Sequence, residues 1–251
     1  MKFSKYIYLS SCILFSQSLL ANSFLDSFSG EPRINANIYV FAADVDGTLS
    51  DKNIQYKVDQ SFNDTLEHLD RVFMGFLDIN KGDWGLYIDK KLVKTSEDND
   101  VINIPIAVNT KLDQTSYGVY YRAYKSTELN AFKQPKLLIE PTIGLHHTDA
   151  KATLSAFNIT KNANIDWNEF FWGARFRYNF DSPWNIASEL TIGEKDTISA
   201  HAYLGYNIPF FKRPLNVRVG YRYLKQDYQS NDFHWDIRQR GPVIGINLPI
   251  Y

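Results

Sequence analysis

The chain has 251 residues, 44% of them hydrophobic and 15% aromatic, with 27 basic and 28 acidic side chains and one cysteine. That length fits one domain, and a near balance of charge with no run of like sign excludes a nucleic-acid-binding surface, which needs a basic stripe. Beyond the first 21 residues no segment approaches 20 consecutive apolar residues, which excludes helical membrane spanning; spanning by strands stays open, because a barrel strand alternates polar with apolar residues.

Residues 1–21 read as a secretory signal peptide: Lys2 and Lys5 lead, an apolar stretch runs from Tyr6 to Leu20, and Ala21 and Ser23 offer cleavage after either. Leu9-Ser10-Ser11-Cys12 has the outline of a lipoprotein site, but the apolar run ahead of it is too short. Removing the leader leaves 25 basic against 28 acidic residues and no thiol chemistry.

Over 22–251 the organising signal is period two. It is noisy over 37–47 and 70–79. Residues 61–69 break it: Phe62, Leu66 and Leu69 fall at helical spacing, which predicts a short helical turn that covers or enters a barrel mouth. After the tight turn Asn80-Lys81-Gly82-Asp83, the residues Trp84, Leu86, Ile88 and Leu92 oppose Gly85, Asp89 and Lys91. Tyr117, Val119 and Tyr121 oppose Gly118 and Arg122, and Leu137, Ile139, Ile143 and Leu145 oppose Glu140, Thr142, Gly144 and His146. Phe170, Trp172, Ala174, Phe176 and Tyr178 alternate with Gly173, Arg175, Arg177 and Asn179. The segments Trp184 to Gly193, Ser199 to Ile208 and Leu215 to Tyr223 repeat the pattern, and a last strand lies near 235–250.

The fold class expected is all-β: a single antiparallel up-and-down transmembrane β-barrel of about ten strands over 22–251, with eight as the alternative. A soluble sandwich or lipocalin-like barrel would expose lysines and glutamates, whereas these polar faces hold glycine, asparagine, threonine and a few arginines. Aromatics near strand ends suit interfacial girdles. With both chain ends in the periplasm, connections near 80–83, 126–133, 181–183 and 209–214 are periplasmic. Those near 48–69, 97–111, 156–165 and 229–234 are extracellular loops. Two details resist: Lys195-Asp196 is short where a long loop belongs, and Lys90 falls on the lipid face, where it must snorkel toward the interface.

The polar faces assign Asp44, Asp46, Asp89, Glu140 and Glu189 to the lumen with Lys91, Arg122, Arg175, Arg177, Arg218 and Arg222. Buried charges require neighbours of opposite sign, so a structural network is expected, with a narrow anion-selective conduit as the alternative. His146, His147 and Asp149, and His234 with Asp236, are the candidates for hydrolytic chemistry. The two sets lie on distant strands, and adjacent strand residues such as His146 and His147 point to opposite faces, which argues against a catalytic or metal site. No cofactor, no metal, no nucleic acid and no enzymatic activity are expected.

Trp172-Gly173-Ala174-Arg175-Phe176-Arg177-Tyr178, Val219-Gly220-Tyr221-Arg222-Tyr223-Leu224 and Gly241-Pro242-Val243-Ile244-Gly245 resemble a family of bacterial outer-membrane β-barrel proteins, similar in type to the porin-like OmpA and OmpW barrels. Asp70 to Gly75 and Trp84 to Asp89 extend the likeness over most of the mature chain. The resemblance implies outer-membrane location, contact with membrane lipid and lipopolysaccharide, insertion by the barrel-assembly machinery and a monomer; the extracellular ligand is open. It also implies a C-terminal assembly signal, matched here by Gly245, Leu248 and Ile250, with Tyr251 displaced by one residue into the other register.

Overall fold

The computed structural model describes residues 27–250 apart from 52–53, 102–103, 157–158, 211–213 and 231–232. Residues 1–21, expected to be a leader, and Tyr251 lie outside the described residues.

The strands are β1 (Arg33–Phe41), β2 (Asp44–Asp51), β3 (Ile54–Gln60), β4 (Leu69–Lys81), β5 (Trp84–Val101), β6 (Ile104–Tyr121), the short β7 (Tyr124–Lys125), β8 (Leu137–Ala156), β9 (Ile159–Asn179), β10 (Trp184–Gly193), β11 (Ile198–Ile208), β12 (Leu215–Ser230) and β13 (Phe233–Pro249). Ten of them close an antiparallel ring in the order β1-β4-β5-β6-β8-β9-β10-β11-β12-β13, with β13 returning to β1. Closure removes the sheet edges, so the wall's backbone is hydrogen-bonded within itself, as a membrane requires.

Register can be followed around this ring. From Ile34 the ladder passes through Ile79, Leu86, Val119, Ile143, Trp172, Ile192, Ile198, Lys225 and Arg238 and returns to the first chain segment at Asp46, a stagger of 12 residues. Such a stagger in a ten-stranded ring tilts the strands by roughly 40°. Eight of these positions carry large apolar side chains. Ile38, Leu86, Trp172, Val219 and Ile244 each leave more than half their surface exposed on the outer wall. An apolar belt this continuous has no place on a surface in water.

β1 and β2 are one strand in two pieces. Both pair with β13 in a single register, and the ladder is interrupted only at Ala42 and Ala43, where Pro242 offers no N–H. Ala42 N still donates to Pro242 O at 3.0 Å. Above Ile38 the β1–β4 ladder stops; β3 folds back on β2, and Phe41 N donates to Met74 Sδ at 3.2 Å beside the seam.

The lower end of the barrel carries the described chain ends. There Ser27 O accepts from Asp83 N at 2.7 Å, Ser27 Oγ accepts from Trp84 Nε1 at 2.9 Å, and Phe28 stacks on Trp84. The upper end is taller than the sequence suggests. Segments 97–111 and 156–165, expected as loops, are mostly strand, because β5, β6, β8 and β9 run on as paired hairpins to 101, 104, 156 and 159. The short upper connection at Lys195-Asp196 is a two-residue turn with both residues in the left-handed region (φ 50° and 61°), the geometry that matches strand twist. β10 and β11, of 10 and 11 residues, are therefore the low point of the rim.

The helical turn is present as α1 (Phe62–Glu67), with a capping box in which Ser61 Oγ accepts from Asp64 N and Asp64 accepts from Ser61 N. Those Ser61 hydrogen bonds hold the Asp64 carboxyl below its ordinary range. α1 does not enter the mouth. None of its residues is buried, and Phe62 N donates to Asp44, which lies on the outer side of the wall.

Candidate functional site

The lumen is built from the inward-pointing half of each strand, and register turns the sequence alternation into a row of charges. Glu140 on β8 pairs with Arg175 on β9, Arg175 with Glu189 on β10, Glu189 with His201 on β11, and His201 with Arg222 on β12. Arg122 extends the row, donating from Nε to Glu140 Oε1 at 3.1 Å and from Nη1 to Gly82 O at 3.0 Å.

The long arginines then cross the barrel. Arg222 reaches Asp89 on β5 at 2.6 Å and Tyr39 Oη on β1 at 3.1 Å, and Tyr39 donates to the other Asp89 oxygen at 2.5 Å. Arg175 meets Asp78 on β4 at 3.2 Å and lies 3.7 Å from both Glu140 and Glu189. Its guanidinium stands over Tyr120 at 4.0 Å and Tyr87 at 5.1 Å from the ring centroids. Lys91 is buried, with Nζ 5.8 Å from the Phe41 ring centroid and no hydrogen-bond partner among the described residues. Arg177 and Arg218 line a cavity in the lower lumen.

Inward tyrosines fit because the neighbouring strand supplies a glycine. Tyr120 lies across Gly85, where a Cβ would fall 2.1 Å from the ring, and Tyr87 lies across Gly118, at 2.2 Å. The glycines of the polar face are thus sockets for aromatic rings.

Above the charged layer stands one built mainly of amides and hydroxyls. Gln114 Nε2 donates to Gln226 Oε1 at 2.6 Å, Gln226 Nε2 contacts Thr148 Oγ1 at 3.0 Å and Glu169 Oε2 at 3.2 Å, and Thr197 Oγ1 donates to Glu169 at 2.8 Å. Above that, the upper extensions press together. Trp167 stacks on Tyr228 at 4.7 Å and tilts against Trp235 at 5.2 Å, and Ile237, Val45, Leu49, Val58, Leu112 and Ile165 pack around them. Three unlike layers therefore block the lumen.

Two predicted lumen residues are elsewhere. Asp44 and Asp46 lie on the outer face: the odd-numbered positions of this strand point inward from Asn37 through Val45 and Leu49, and the register has no slip that would exchange the faces. Asp46 pairs with Arg238 at 2.5 Å and Arg240 at 3.6 Å, both half-exposed. Asp78, Tyr39, Tyr87 and Tyr120 belong to the charged layer and were not anticipated.

Lys90 is on the outer face, bonded to Asp113 and to Thr115 Oγ1 at 3.0 Å. His146 is buried, with Nδ1 2.7 Å from Ser116 Oγ and its ring stacked on Phe171, while His147 points outward to Asn168. His234 bonds Asp227 at 3.0 Å. Among the described residues no three metal-ligating side chains cluster. At the C-terminal end, Leu248 and Ile250 face outward, Gly245 lies against Tyr39 and Asn37, and Ile250 N donates to Ile34 O at 2.8 Å.

No protein-family model matches the chain, and no curated protein matches it. Among solved structures it is similar to Ail, the attachment invasion locus protein of Yersinia pestis, in complex with the heparin analogue sucrose octasulfate, with 13% identity over 86% of this chain and 99% of that one and a TM-score of 0.38. It is also similar to the outer membrane protease OmpT of Escherichia coli, with 7% identity over 87% of this chain and 97% of that one and a TM-score of 0.43. The toluene transporter TodX of Pseudomonas putida is a third, with 10% identity over 90% of this chain and 92% of that one and a TM-score of 0.32.

Proposed function

We propose that this chain is an integral outer-membrane barrel with a structural or surface-interaction role, exported by its N-terminal leader and standing in the membrane as a monomer. The observation that carries this reading is the closed lumen: a charged layer, an amide layer and an aromatic layer lie one above another, and side chains fill what a ten-stranded wall encloses. The apolar belt supports a membrane, and the long strand extensions at the end opposite the described chain ends support a periplasmic lower end. The upper extensions are then the surface presented outside the cell. Outer-membrane lipid and lipopolysaccharide would meet the belt, and the assembly machinery would read the strand end at Gly245, Leu248, Ile250 and Tyr251.

Planar-bilayer recordings on the refolded protein test this reading. Little or intermittent conductance is expected. A steady, large conductance scaling with salt would instead establish the narrow porin-like channel. Fractionation with outer membranes and a boiling-dependent gel shift are expected as well, and recovery as a soluble periplasmic protein would sink the membrane reading.

A further inference from the structure

We propose that Arg177 and Arg218 hold one small oxyanion, admitted from the periplasm into the lower lumen. Both arginines border a cavity of about 80 Å³ whose lining includes Asn35, Asn37 and Asn247. Arg122, Arg175 and Arg222 each have a carboxylate partner. Arg177 and Arg218 have no ion pair among the described residues. Arg218 is held only through Nε, which donates to Asn216 Oδ1 at 2.6 Å, so its two terminal nitrogens stay available at the cavity. Beside Arg177 the wall carries the small Ala187 at an inward position lining the cavity, and opposite Arg218 Gly205 seats the Asn185 and Asn216 amides.

The surroundings match an anion. The four acidic groups of the lining are already engaged: Asp78, Glu140 and Glu189 by Arg175, and Asp89 by Arg222. On the near side the ladder sets Asn207, Asn216, Asn247 and Asn37 in one row across four strands, so neutral amides stand where carboxylates would repel. Asn37 is 7% exposed and one of its amide atoms has no partner. Turning that carboxamide over presents an N–H donor at the same place. Paired guanidinium nitrogens and amide N–H groups are the donor set for phosphate, sulfate or a short carboxylate. A volume near 80 Å³ has room for about five waters and hence for an ion of that size, not for a sugar or a peptide. Arg222, Asp89 and Tyr39 close the cavity above, so entry is from the periplasmic end.

The test uses the full mature chain refolded in detergent, in a phosphate-free and sulfate-free buffer, with inorganic phosphate as the probe in calorimetric titration. Saturable binding of one phosphate is expected, with sulfate and acetate competing and chloride at matched ionic strength giving none. Arg177→Gln and Arg218→Gln should each weaken binding by about tenfold or more, the scale of a charged hydrogen bond, whereas Lys225→Gln on the outer wall should leave it unchanged. If either arginine variant fails to fold, the unmodified protein still decides: phosphate should raise its heat-induced gel-shift temperature above that in chloride. Absence of saturable binding, equal response to chloride, or full binding by both folded arginine variants would each overturn the proposal.

Discussion

Two adjacent levels of the same wall obey opposite rules. Up to the row Ile88, Tyr117, Leu145 and Phe170, side chains facing out are apolar and those facing in are mainly polar, with buried rings such as Tyr87, Tyr120 and Phe171 among them. Two rows higher, the outward positions are Leu92, Asp113, Asp149 and Asp166, while the inward positions beside them are Val93, Leu112, Ala150 and Ile165. Neither strand pairing nor register changes between the levels; the solvent outside does. In lipid the outer face must be greasy and the polar groups turn in, whereas above the lipid the same sheet behaves as a soluble sandwich with its apolar side inward. The row between them, Lys90, Thr115, His147 and Asn168, marks the boundary, and Lys90 uses its reach to meet Asp113 above it.

The largest effect should come from the inside of the lower level. Arg175→Leu leaves Asp78, Glu140 and Glu189 facing one another without their shared cation. Removing one partner from a buried network costs about 3–5 kcal/mol. Urea unfolding of the refolded variant should show a midpoint lowered accordingly; an unchanged midpoint would mean that water, not Arg175, carries these charges.

The outer wall tests the boundary itself. Val219→Arg, on the lipid-facing belt, should cost about 2–4 kcal/mol, the depth-dependent penalty of a cation facing lipid. Thr48→Arg points outward in the same alternation but above the boundary, and should stay within about 0.5 kcal/mol. Folding yield into bilayers and unfolding midpoints measure both. Equal losses at the two sites would place the boundary wrongly.

The inversion also explains what the sequence made legible. Alternation alone places Glu140, Arg175, Glu189 and Arg222 inward, because apolar residues flank Glu140, Arg175 and Arg222, and Glu189 lies in the register opposite Ile186, Leu190 and Ile192. Carried upward unchanged, the same rule puts Asp44 and Asp46 inside, where the structure has Val45 and Leu49. Nothing in the local pattern announces that the outer solvent has changed from lipid to water. Alternation puts Tyr87 and Tyr120 on the inward side as well, but it does not show what makes room there for an aromatic ring. Opposite Tyr87 and Tyr120 the partner across the ladder is glycine, a signal that needs register to be read. α1 is visible from the spacing of Phe62 and Leu66, but its docking on the outer side depends on Asp44, whose face the sequence does not reveal.

One conservative substitution compares the two levels directly. Ile237→Val removes a methylene from a side chain that is 3% exposed in the upper core and should cost about 0.5–1.5 kcal/mol. At Ile244, 62% exposed on the outer wall, lipid closes over the missing atoms and the cost should fall below about 0.5 kcal/mol. Matched unfolding curves in one lipid composition decide; a larger loss at Ile244 would mean that the upper cluster is loosely packed.

The smallest expected effect separates the two kinds of ion pair. Asp46 meets Arg238 and Arg240 on the outer face above the lipid, and both arginine side chains are about half exposed. Water and salt screen such contacts, so Asp46→Asn should cost about 0.2–1 kcal/mol at low ionic strength and almost nothing near 1 M salt, where the screening length shrinks to about 3 Å. Asp89, 5% exposed, bonds Arg222 and Tyr39 inside the wall, where a buried pair is screened much less by salt. Asp89→Asn should therefore destabilise by an amount that stays nearly constant from low to high salt. Unfolding midpoints for both variants across a sodium chloride series provide the measurement. If the Asp89→Asn deficit also fades with salt, the lumen is wetter than its side-chain packing indicates, and the contrast between a sealed interior and a solvated outer rim fails.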